Sequence, residues 1–308
     1  MEEILVFGHK NPDTDSICSS LVKTYIETKR TGENYKAVRL GNVSKETKYA
    51  LDYAGVEEPE LISKVDEGQK VILVDHNEFP QSADGIENAK IQEVVDHHRI
   101  ASFQTKDPLY YTAKPYGCTA TILFEEFKNA DIEIEKTQAI LMLSAIISDT
   151  LLLKSPTCTE KDVNAFNELE KIAGIDAREY GLEMLKAGTD LSTFSAEELI
   201  NIDAKKVEEN GKTFVIAQVN TVDINDVFVR KEEISFEIEK VIAESKLDLF
   251  VFVITDIINS NSKIIALGND KEVTEKAFNN KLDSDDSMVL EGVVSRKKQI
   301  LPQILEKI

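Results

Sequence analysis

The sequence contains no tryptophan and no basic segment with interleaved aromatic residues of the kind that stacks on single-stranded bases. Its 36 lysines and arginines are outnumbered by 56 aspartates and glutamates, which gives a formal net charge of −20. Because non-specific nucleic-acid binding depends on Lys and Arg neutralising phosphates, this balance argues against a nucleic-acid partner. A small polyanion can still bind, provided that metal ions or a few Lys and Arg side chains concentrate positive charge locally.

Long apolar runs are also missing. The longest, such as residues 249–254, fall far short of the roughly 20 residues that a membrane span needs. Residues 1–3, Met-Glu-Glu, lack the basic start of a signal peptide. The cysteines are odd in number and form no CxxC pair, so we expect reduced thiols at Cys18, Cys118 and Cys158. These absences predict a cytoplasmic protein with no membrane partner.

Short apolar strands alternate with helical segments in the first half of the chain. The pattern predicts strands at 4–7, 38–40, 71–74 and 91–95, and helices at 17–28, 45–53, 118–127, 137–147, 160–172 and 177–187. Strands joined by helical crossovers indicate a parallel, doubly wound sheet. In such sheets, ligands bind beyond the carboxyl ends of the strands.

The pattern changes after a polar segment without helical or strand periodicity. We expect a first domain at 1–188, a linker at 189–195 and a second domain at 196–308. In the second domain, strands at 200–207 and 213–219 are joined by a Glu-Asn-Gly hairpin turn. A helix at 232–245, strands at 249–255 and 263–267, a short helix at 272–279, a strand at 288–294 and a closing helix at 297–308 follow. This order predicts a smaller α/β domain with a mixed sheet.

The chain has only four histidines, and each lies near an aspartate and within three residues of the end of a predicted strand: His9, His76, His97 and His98. A single histidine is usually structural, but four in this position indicate a metal site at the carboxyl edge of the sheet.

The loop after the first strand offers His9, Asp13 and Asp15. Either aspartate could simply cap the next helix, but capping needs only one. Because Asp13 and Asp15 are two residues apart, this loop could contact two different metal ions. Asp75 follows the third strand, where a turn residue is common. Its expected place on the same edge as His9 would also allow it to bridge two cations.

Asp96, His97 and His98 end the fourth strand. Neighbouring side chains of an extended chain diverge. We therefore expect one histidine to be a ligand and the other a substrate contact or proton donor, with Asp96 supporting a histidine from behind. Asp149 follows an apolar helix, where a carboxylate opposes the helix dipole. That position indicates a positive group beside it, either a metal ion or an Arg or Lys.

A basic cluster, Arg296-Lys297-Lys298, follows the last predicted strand. It could be an ordinary solvated surface, but in this acidic chain it is also a concentrated positive spot. Arginine offers a planar fork for phosphate oxygens and lysine a point charge. Lys205 lies on the first strand of the same domain, and Lys206 alternates to the other face.

Five segments in order resemble the motifs of family II inorganic pyrophosphatases, members of the DHH phosphoesterase superfamily. They are Gly-His-Lys-Asn-Pro-Asp-Thr-Asp at 8–15, Val-Asp-His-Asn at 74–77, Val-Asp-His-His at 95–98, Ser-Asp-Thr at 148–150 and Ser-Arg-Lys-Lys-Gln at 295–299. The resemblance covers essentially the whole chain. It implies a DHH metal-binding catalytic domain, a DHHA2-type substrate-binding domain, an active site between them, and hydrolysis of pyrophosphate by a metal-bridged hydroxide.

The resemblance also implies roles for individual residues. One ion would be held by His9, Asp13 and Asp75, and the other by Asp15, Asp75, His97 and Asp149. Mixed imidazole and carboxylate ligands suit two Mn²⁺ or Co²⁺ ions per subunit, with additional Mg²⁺ arriving with the substrate. Pyrophosphate would be bound by His98, Lys205, Arg296 and Lys297, which with Asp75 form the expected catalytic set. A homodimer through the first domain is implied as well.

Three alternatives stay open at this point. A short-chain exopolyphosphatase on the same scaffold would use the same metals. A nuclease or nucleotide phosphodiesterase of the superfamily would typically carry a glycine-rich, histidine-containing motif in its second domain, which here has no histidine. A non-catalytic metal or phosphate sensor could keep the ligands without turnover. Only twenty residues separate Asp75 from Asp96, so no nucleotide-binding regulatory insertion is expected.

Overall fold

The computed structural model describes residues 3–308. The chain forms two compact units, Met1–Gly188 and Thr189–Ile308. The first contains a parallel sheet with helices and the second a smaller mixed sheet, which confirms the predicted fold class. Between residues 3 and 308, no helix combines the length and the apolar character needed to cross a bilayer.

A six-stranded parallel sheet forms the centre of the first unit. Its strands are β1 (Ile4–Phe7), β2 (Tyr35–Arg39), β3 (Glu60–Leu61), β4 (Lys70–Val74), β5 (Lys90–Asp96) and β6 (Tyr110–Ala113). They lie in the order β3-β2-β1-β4-β5-β6, with all neighbours parallel. Strands β1 and β4 are therefore central: β2 and β3 extend the sheet beyond β1, and β5 and β6 extend it beyond β4. The carboxyl ends of β1 and β4 flank a topological switch point, where such sheets bind ligands.

Six helices connect these strands or follow them: α1 (Thr14–Thr31), α2 (Lys45–Ala54), α3 (Thr119–Asn129), α4 (Lys136–Thr150), α5 (Glu160–Ala173) and α6 (Ala177–Gly188). Asp13 caps α1 by accepting a hydrogen bond from the backbone N–H of Ser16. Because of this cap, α1 begins at Thr14 and not at the predicted residue 17. Gly32 ends the same helix in the left-handed conformation that glycine adopts without strain.

The two outermost strands of this sheet were not predicted. β3 has only two residues, both exposed, and β6 begins at Tyr110, whose side chain is also exposed. Edge strands of this kind bury little apolar surface. They therefore lack the apolar run that identifies the central strands.

A buried ion cluster joins helix α1, strand β5 and helix α3 of the first unit. The ammonium of Lys23 on α1 lies 3.0 Å from Glu27, 2.8 Å from Glu93 on β5 and 2.8 Å from Glu126 on α3. Burial alone would lower the pKa of Lys23, but the three carboxylates outweigh burial and raise it above its usual value. Lys23 is therefore charged, and it holds together the helices and strand that carry the polar residues described below.

Replacing Lys23 with methionine should destabilise the protein by about 3–5 kcal/mol, because Glu93 and Glu126 lose their buried counter-charge and Glu27 keeps only Arg30. Urea unfolding of the metal-free protein measures this change. Lys29→Met on the same helix is the matched control, since Lys29 is half exposed and 3.7 Å from an exposed Glu135. Its expected cost is at most about 1 kcal/mol. Equal effects of the two variants would contradict the structural role of the buried cluster.

The second unit is a five-stranded mixed sheet in the order β11-β10-β9-β8-β7. The strands are β7 (Ala204–Glu209), β8 (Lys212–Thr221), β9 (Leu249–Asp256), β10 (Asn261–Leu267) and β11 (Ser287–Glu291). Only β8 and β9 are parallel. All eight residues of β9 are buried, with Phe250 and Phe252 in one apolar cluster and Val251 and Val253 in the other. Both faces of the sheet are therefore covered.

The helical segments of this unit are α7 (Ala196–Leu199), α8 (Ile224–Phe228), α9 (Lys231–Ser245), α10 (Glu272–Phe278), a π-helical turn (Arg296–Ile300) and α11 (Leu301–Leu305). The predicted strand at 200–207 is wrong over its first four residues. Helix α7, which a capping box of Ser195 and Glu198 starts, precedes this segment, and Ile200 packs into the core as its C-cap. The last strand ends at Glu291, before Gly292 turns with a φ of 69°.

Candidate metal centre and phosphate-binding residues

Polar side chains converge where three neighbouring strands of the first unit end. His9 follows β1, Asp75 follows β4, and His97 follows β5. Helix α1 adds Asp13 and Asp15 at its start, and α4 adds Asp149 in its last turn. The structure thus brings all six of the expected metal ligands to the switch point of one sheet.

One group of possible ligands consists of His9, Asp13 and Asp75, whose donor atoms lie within 4.8 Å of one another. His9 Nε2 is 3.5 Å from Asp13 Oδ2 and 3.4 Å from Asp75 Oδ2. His9 Nδ1 lies 2.8 Å from the backbone oxygen of Lys10. Because that oxygen only accepts, Nδ1 carries a proton, and Nε2 is the nitrogen that a metal ion could bind after displacing the second ring proton.

The second group consists of Asp15, Asp75, His97 and Asp149, with donor atoms again within 4.8 Å of one another. His97 Nε2 lies 3.4 Å from Asp75 Oδ1 and 3.6 Å from Asp149 Oδ2. Its Nδ1 donates to the backbone oxygen of Tyr116 at 3.0 Å, so Nε2 is again the nitrogen that a metal ion could bind. The side chain found beside Asp149 is thus His97, where the sequence predicted a metal ion or an Arg or Lys.

Asp75 belongs to both groups and is held in an unusual conformation. Its φ of 59° is left-handed, which is rare for a residue other than glycine. The side chain is buried, and Oδ2 accepts no well-formed hydrogen bond, although the His9 ring lies 3.4 Å away. A buried carboxylate oxygen without such a hydrogen bond is costly unless a cation contacts it. Oδ1 faces His97 and Oδ2 faces His9, so the two oxygens can serve two ions.

The electrostatics of this cluster also favour bound cations. Burial, together with the charge of Asp75, raises the pKa of Asp15 to about 7. Burial and the same neighbouring carboxylates hold the pKa of Asp149 well above its usual value. Burial alone would lower the pKa of His9, but Asp13 and Asp75 outweigh burial and raise it to about 11. Asp75 differs, because His9 and His97 outweigh its burial and lower its pKa, so it stays ionised. Without metal, protons on Asp15, Asp149 and His9 therefore offset the crowded negative charge, and divalent cations can replace these protons.

His98 forms a third group of possible ligands with Asp75 and His97, but it is held differently from His97. Its Nδ1 is 3.0 Å from Asp96 Oδ1 and 3.7 Å from Asp75 Oδ1. Hydrogen bonding to Asp96 raises the pKa of His98 above its usual value. The rings of His97 and His98 do not diverge, since their centroids are only 4.1 Å apart. The expectation of divergence was wrong because β5 ends at Asp96 and the chain bends there.

Asn77 is a site residue that the sequence did not identify as important. Its Nδ2 donates to Asp96 Oδ2 at 2.6 Å and to the backbone oxygen of Arg99 at 2.9 Å. Its Oδ1 accepts from the backbone N–H of Ala101 at 2.9 Å. Asn77 therefore fixes both Asp96 and the loop after His98. The only sequence signal for Asn77 was its place in the Val-Asp-His-Asn segment, two residues after Asp75.

His76 does not join the cluster, although its place after a strand was counted among the signs of a metal site. It is buried, and its ring nitrogens lie 2.9 Å from the backbone oxygen of Val74 and 3.0 Å from Ser82 Oγ. Burial lowers its pKa to about 4, so the ring is neutral. His76 is a structural residue with both nitrogens already occupied.

His76→Asn should leave the affinity for Mn²⁺ unchanged while costing about 1–3 kcal/mol of stability through its lost hydrogen bonds. His97→Asn should weaken Mn²⁺ binding by more than the roughly 10–100-fold that loss of an outer-shell partner costs. Calorimetric titration of the metal-free variants measures both. Equal losses of affinity would contradict the assignment of His97 as a ligand and His76 as structural.

The residues of the second unit that were expected to bind pyrophosphate are Lys205 on β7 and Arg296 and Lys297 on the π-helical turn. Arg296 Nη2 pairs with Asp203 Oδ1 at 2.9 Å, and its backbone N–H donates to Gln218 Oε1 at 3.0 Å. Between residues 3 and 308, the structure gives no ion-pair partner to Lys205 or Lys297. Arg296 is therefore oriented by protein contacts that the sequence did not predict, while the two lysine ammonium groups are available to an anion.

Comparison with known proteins places this architecture in a defined class. Residues 3–146 match the N-terminal domain of the DHH family, and residues 182–307 match the DHHA2 domain. A parallel-sheet domain with an Asp/His cluster followed by a DHHA2 domain is thus a two-domain protein of the DHH type.

Full-length relatives define the class more closely. The manganese-dependent inorganic pyrophosphatase of Bacillus subtilis is 55% identical over 99% of this chain and 99% of its own length. A probable manganese-dependent inorganic pyrophosphatase of Exiguobacterium sp. is 56% identical with the same coverage. A crystal structure from Methanococcus jannaschii, assigned to family II inorganic pyrophosphatases, is 42% identical, covers 99% of both chains and has a TM-score of 0.62. The chain belongs to the family II, manganese-dependent inorganic pyrophosphatases.

Proposed function

We propose that this protein hydrolyses inorganic pyrophosphate to two phosphates. The observation that carries the proposal is the pair of ligand groups that share the buried carboxylate of Asp75. A shared carboxylate between two Asp/His groups is suited to two cations held close together. The full-length relatives named as manganese-dependent inorganic pyrophosphatases support the same substrate.

Two ions of Mn²⁺ or Co²⁺ would be held by the two groups, with imidazole and carboxylate ligands that suit these metals. The first group is His9, Asp13 and Asp75, and the second is Asp15, Asp75, His97 and Asp149. When bound, such a pair of ions supplies an activated water at neutral pH and neutralises charge on phosphate oxygens. We infer that additional Mg²⁺ arrives with pyrophosphate, which is a strongly anionic ligand.

The protein's own cations would act on the substrate directly. Lys205, Arg296 and Lys297 would bind phosphate oxygens and stabilise the charge that develops during phosphoryl transfer. His98 has its Nδ1 proton held by Asp96, which leaves Nε2 to contact the substrate and to give a proton to the leaving phosphate. The catalytic set proposed here is therefore Asp75, His98, Lys205, Arg296 and Lys297.

A phosphate-release assay tests the proposal. Protein stripped of metal by chelation should lose pyrophosphate hydrolysis and regain it when Mn²⁺ or Co²⁺ is added with Mg²⁺. Preference for tripolyphosphate or longer chains would instead identify an exopolyphosphatase. Tight Mn²⁺ binding without any turnover would identify a sensor and reject the enzymatic proposal.

Homodimer formation and a cytoplasmic location remain predictions from the sequence. Light scattering coupled to size-exclusion chromatography should give twice the 34.5 kDa mass of one chain. A mass of one chain at micromolar concentration would reject the dimer.

A further inference from the structure

The start of helix α3 contacts three of the residues proposed to bind metal. The backbone N–H of Thr119 donates to Asp15 Oδ2 at 2.7 Å, and that of Ala120 donates to Asp15 Oδ1 at 3.2 Å. The backbone oxygen of Tyr116, just before the helix, accepts from His97 Nδ1. The two contacts to Asp15 use the unpaired N–H groups that every helix has at its N-terminus.

The side chain of Thr119 makes the remaining contact, to Asp75. Thr119 is fully buried, and its Oγ1 donates to Asp75 Oδ1 at 3.0 Å. The other oxygen, Oδ2, accepts no well-formed hydrogen bond. The last torsion of an aspartate side chain is soft, so packing alone does not fix the plane of the carboxylate. The hydrogen bond from Thr119 restricts this torsion, and it leaves the second oxygen directed at His9.

We propose that Thr119 is a positioning residue that sets the orientation of the shared carboxylate, so that each oxygen of Asp75 faces a different metal ion. This inference rests on the proposed two-metal function, and it assigns a role to a residue outside all five sequence motifs. Thr119 contacts a ligand and does not contact the reacting atoms.

The position of Thr119 is itself fixed from behind by a buried carboxylate. Asp162 on α5 accepts from the backbone N–H of Gly117 at 2.9 Å and from Thr121 Oγ1 at 2.6 Å. These two contacts bracket Thr119 along the chain. The hydroxyl is therefore carried by a segment anchored on both sides, which is what a positioning group requires.

The test compares Thr119→Val with Thr119→Ser. Valine keeps the size of threonine and removes the hydroxyl, whereas serine keeps the hydroxyl. Mn²⁺ titrations of the metal-free proteins, followed by electron paramagnetic resonance without substrate, measure affinity apart from activity. Thr119→Val should bind Mn²⁺ about 10–100-fold more weakly, as expected for an outer-shell partner. Thr119→Ser should bind like the unmodified protein.

Thr274→Val is the matched control, because Thr274 is also fully buried but lies in the second unit, where its hydroxyl donates to the backbone of Lys271. It should bind Mn²⁺ normally. If Thr119→Val does not fold, Thr119→Ala replaces it and should show the same weakening. The inference about Thr119 would be overturned, without affecting the proposed function, if the variants without the hydroxyl bound Mn²⁺ normally. Equal weakening by Thr119→Ser would overturn it in the same way. Failure of the unmodified protein to bind Mn²⁺ would instead overturn the proposed function.

Discussion

Asp75→Ala is expected to abolish pyrophosphate hydrolysis, with a loss of at least about 10³-fold. Asp75 is the one residue common to both ligand groups, so its removal weakens two proposed metal positions at once. Metal ions contribute several kcal/mol of charge stabilisation in such reactions, and each 1.4 kcal/mol or so is a factor of ten in rate. Phosphate release at saturating Mn²⁺ and Mg²⁺ measures the effect, and Mn²⁺ titration should show weakened binding.

Two further variants sharpen this test. Asp75→Asn keeps the size of the side chain but removes its charge, so it should be nearly as inactive as the alanine variant. Asp107→Ala removes an exposed aspartate from a loop and should keep normal activity. Substantial turnover by Asp75→Ala, within about tenfold of the unmodified protein, would be incompatible with a bridging carboxylate.

The second large effect is expected at Arg296, the arginine of the second unit that Asp203 holds in place. Arg296→Ala should lower kcat/KM for pyrophosphate by about 10²–10³-fold, as the loss of one preorganised donor to a developing charge typically does. Arg296→Lys should recover part of this loss, because lysine keeps the charge but not the planar fork. Steady-state kinetics over a range of pyrophosphate concentrations measures both variants.

Lys206 provides the matched control for this prediction. Lys206→Ala removes the same charge, but Lys206 is an exposed residue next to Lys205 and its ammonium lies 3.3 Å from Glu208. It should leave kcat/KM close to normal, because an exposed ion pair contributes little. If Lys206→Ala and Arg296→Ala were equally impaired, general electrostatic attraction and not a specific phosphate contact would explain the role of Arg296.

The central strands of both sheets could be predicted because each is a short apolar run bounded by polar residues. The same local rule failed at the sheet edges, where β3 and β6 bury too little surface to show such a run. It also failed near Ile200, where an apolar residue that ends a helix was taken for the start of a strand. Local patterns report burial, and they do not by themselves distinguish a strand from a helix end.

Positions after strands were a useful but incomplete guide to the site. The order of the strands brings His9, Asp75 and His97 to one edge, as the alternation of strand and helix implied. His76 also follows a strand, but its ring points into the core, where backbone and serine oxygen atoms occupy both nitrogens. The direction of a side chain after a strand end depends on backbone torsions that residue type does not specify.

The sequence by itself determined which residue types stand at strand ends, that the first sheet is parallel, and that acidic residues outnumber basic ones, with a run of three basic residues at 296–298. The tertiary structure decided which of those side chains meet. The left-handed conformation of Asp75 depends on a single backbone torsion. The hydrogen bonds from Thr119 to Asp75 and from Asn77 to Asp96 join residues at least 19 positions apart. Such contacts exist only after the sheet has formed, because long-range packing and not local preference brings their partners together.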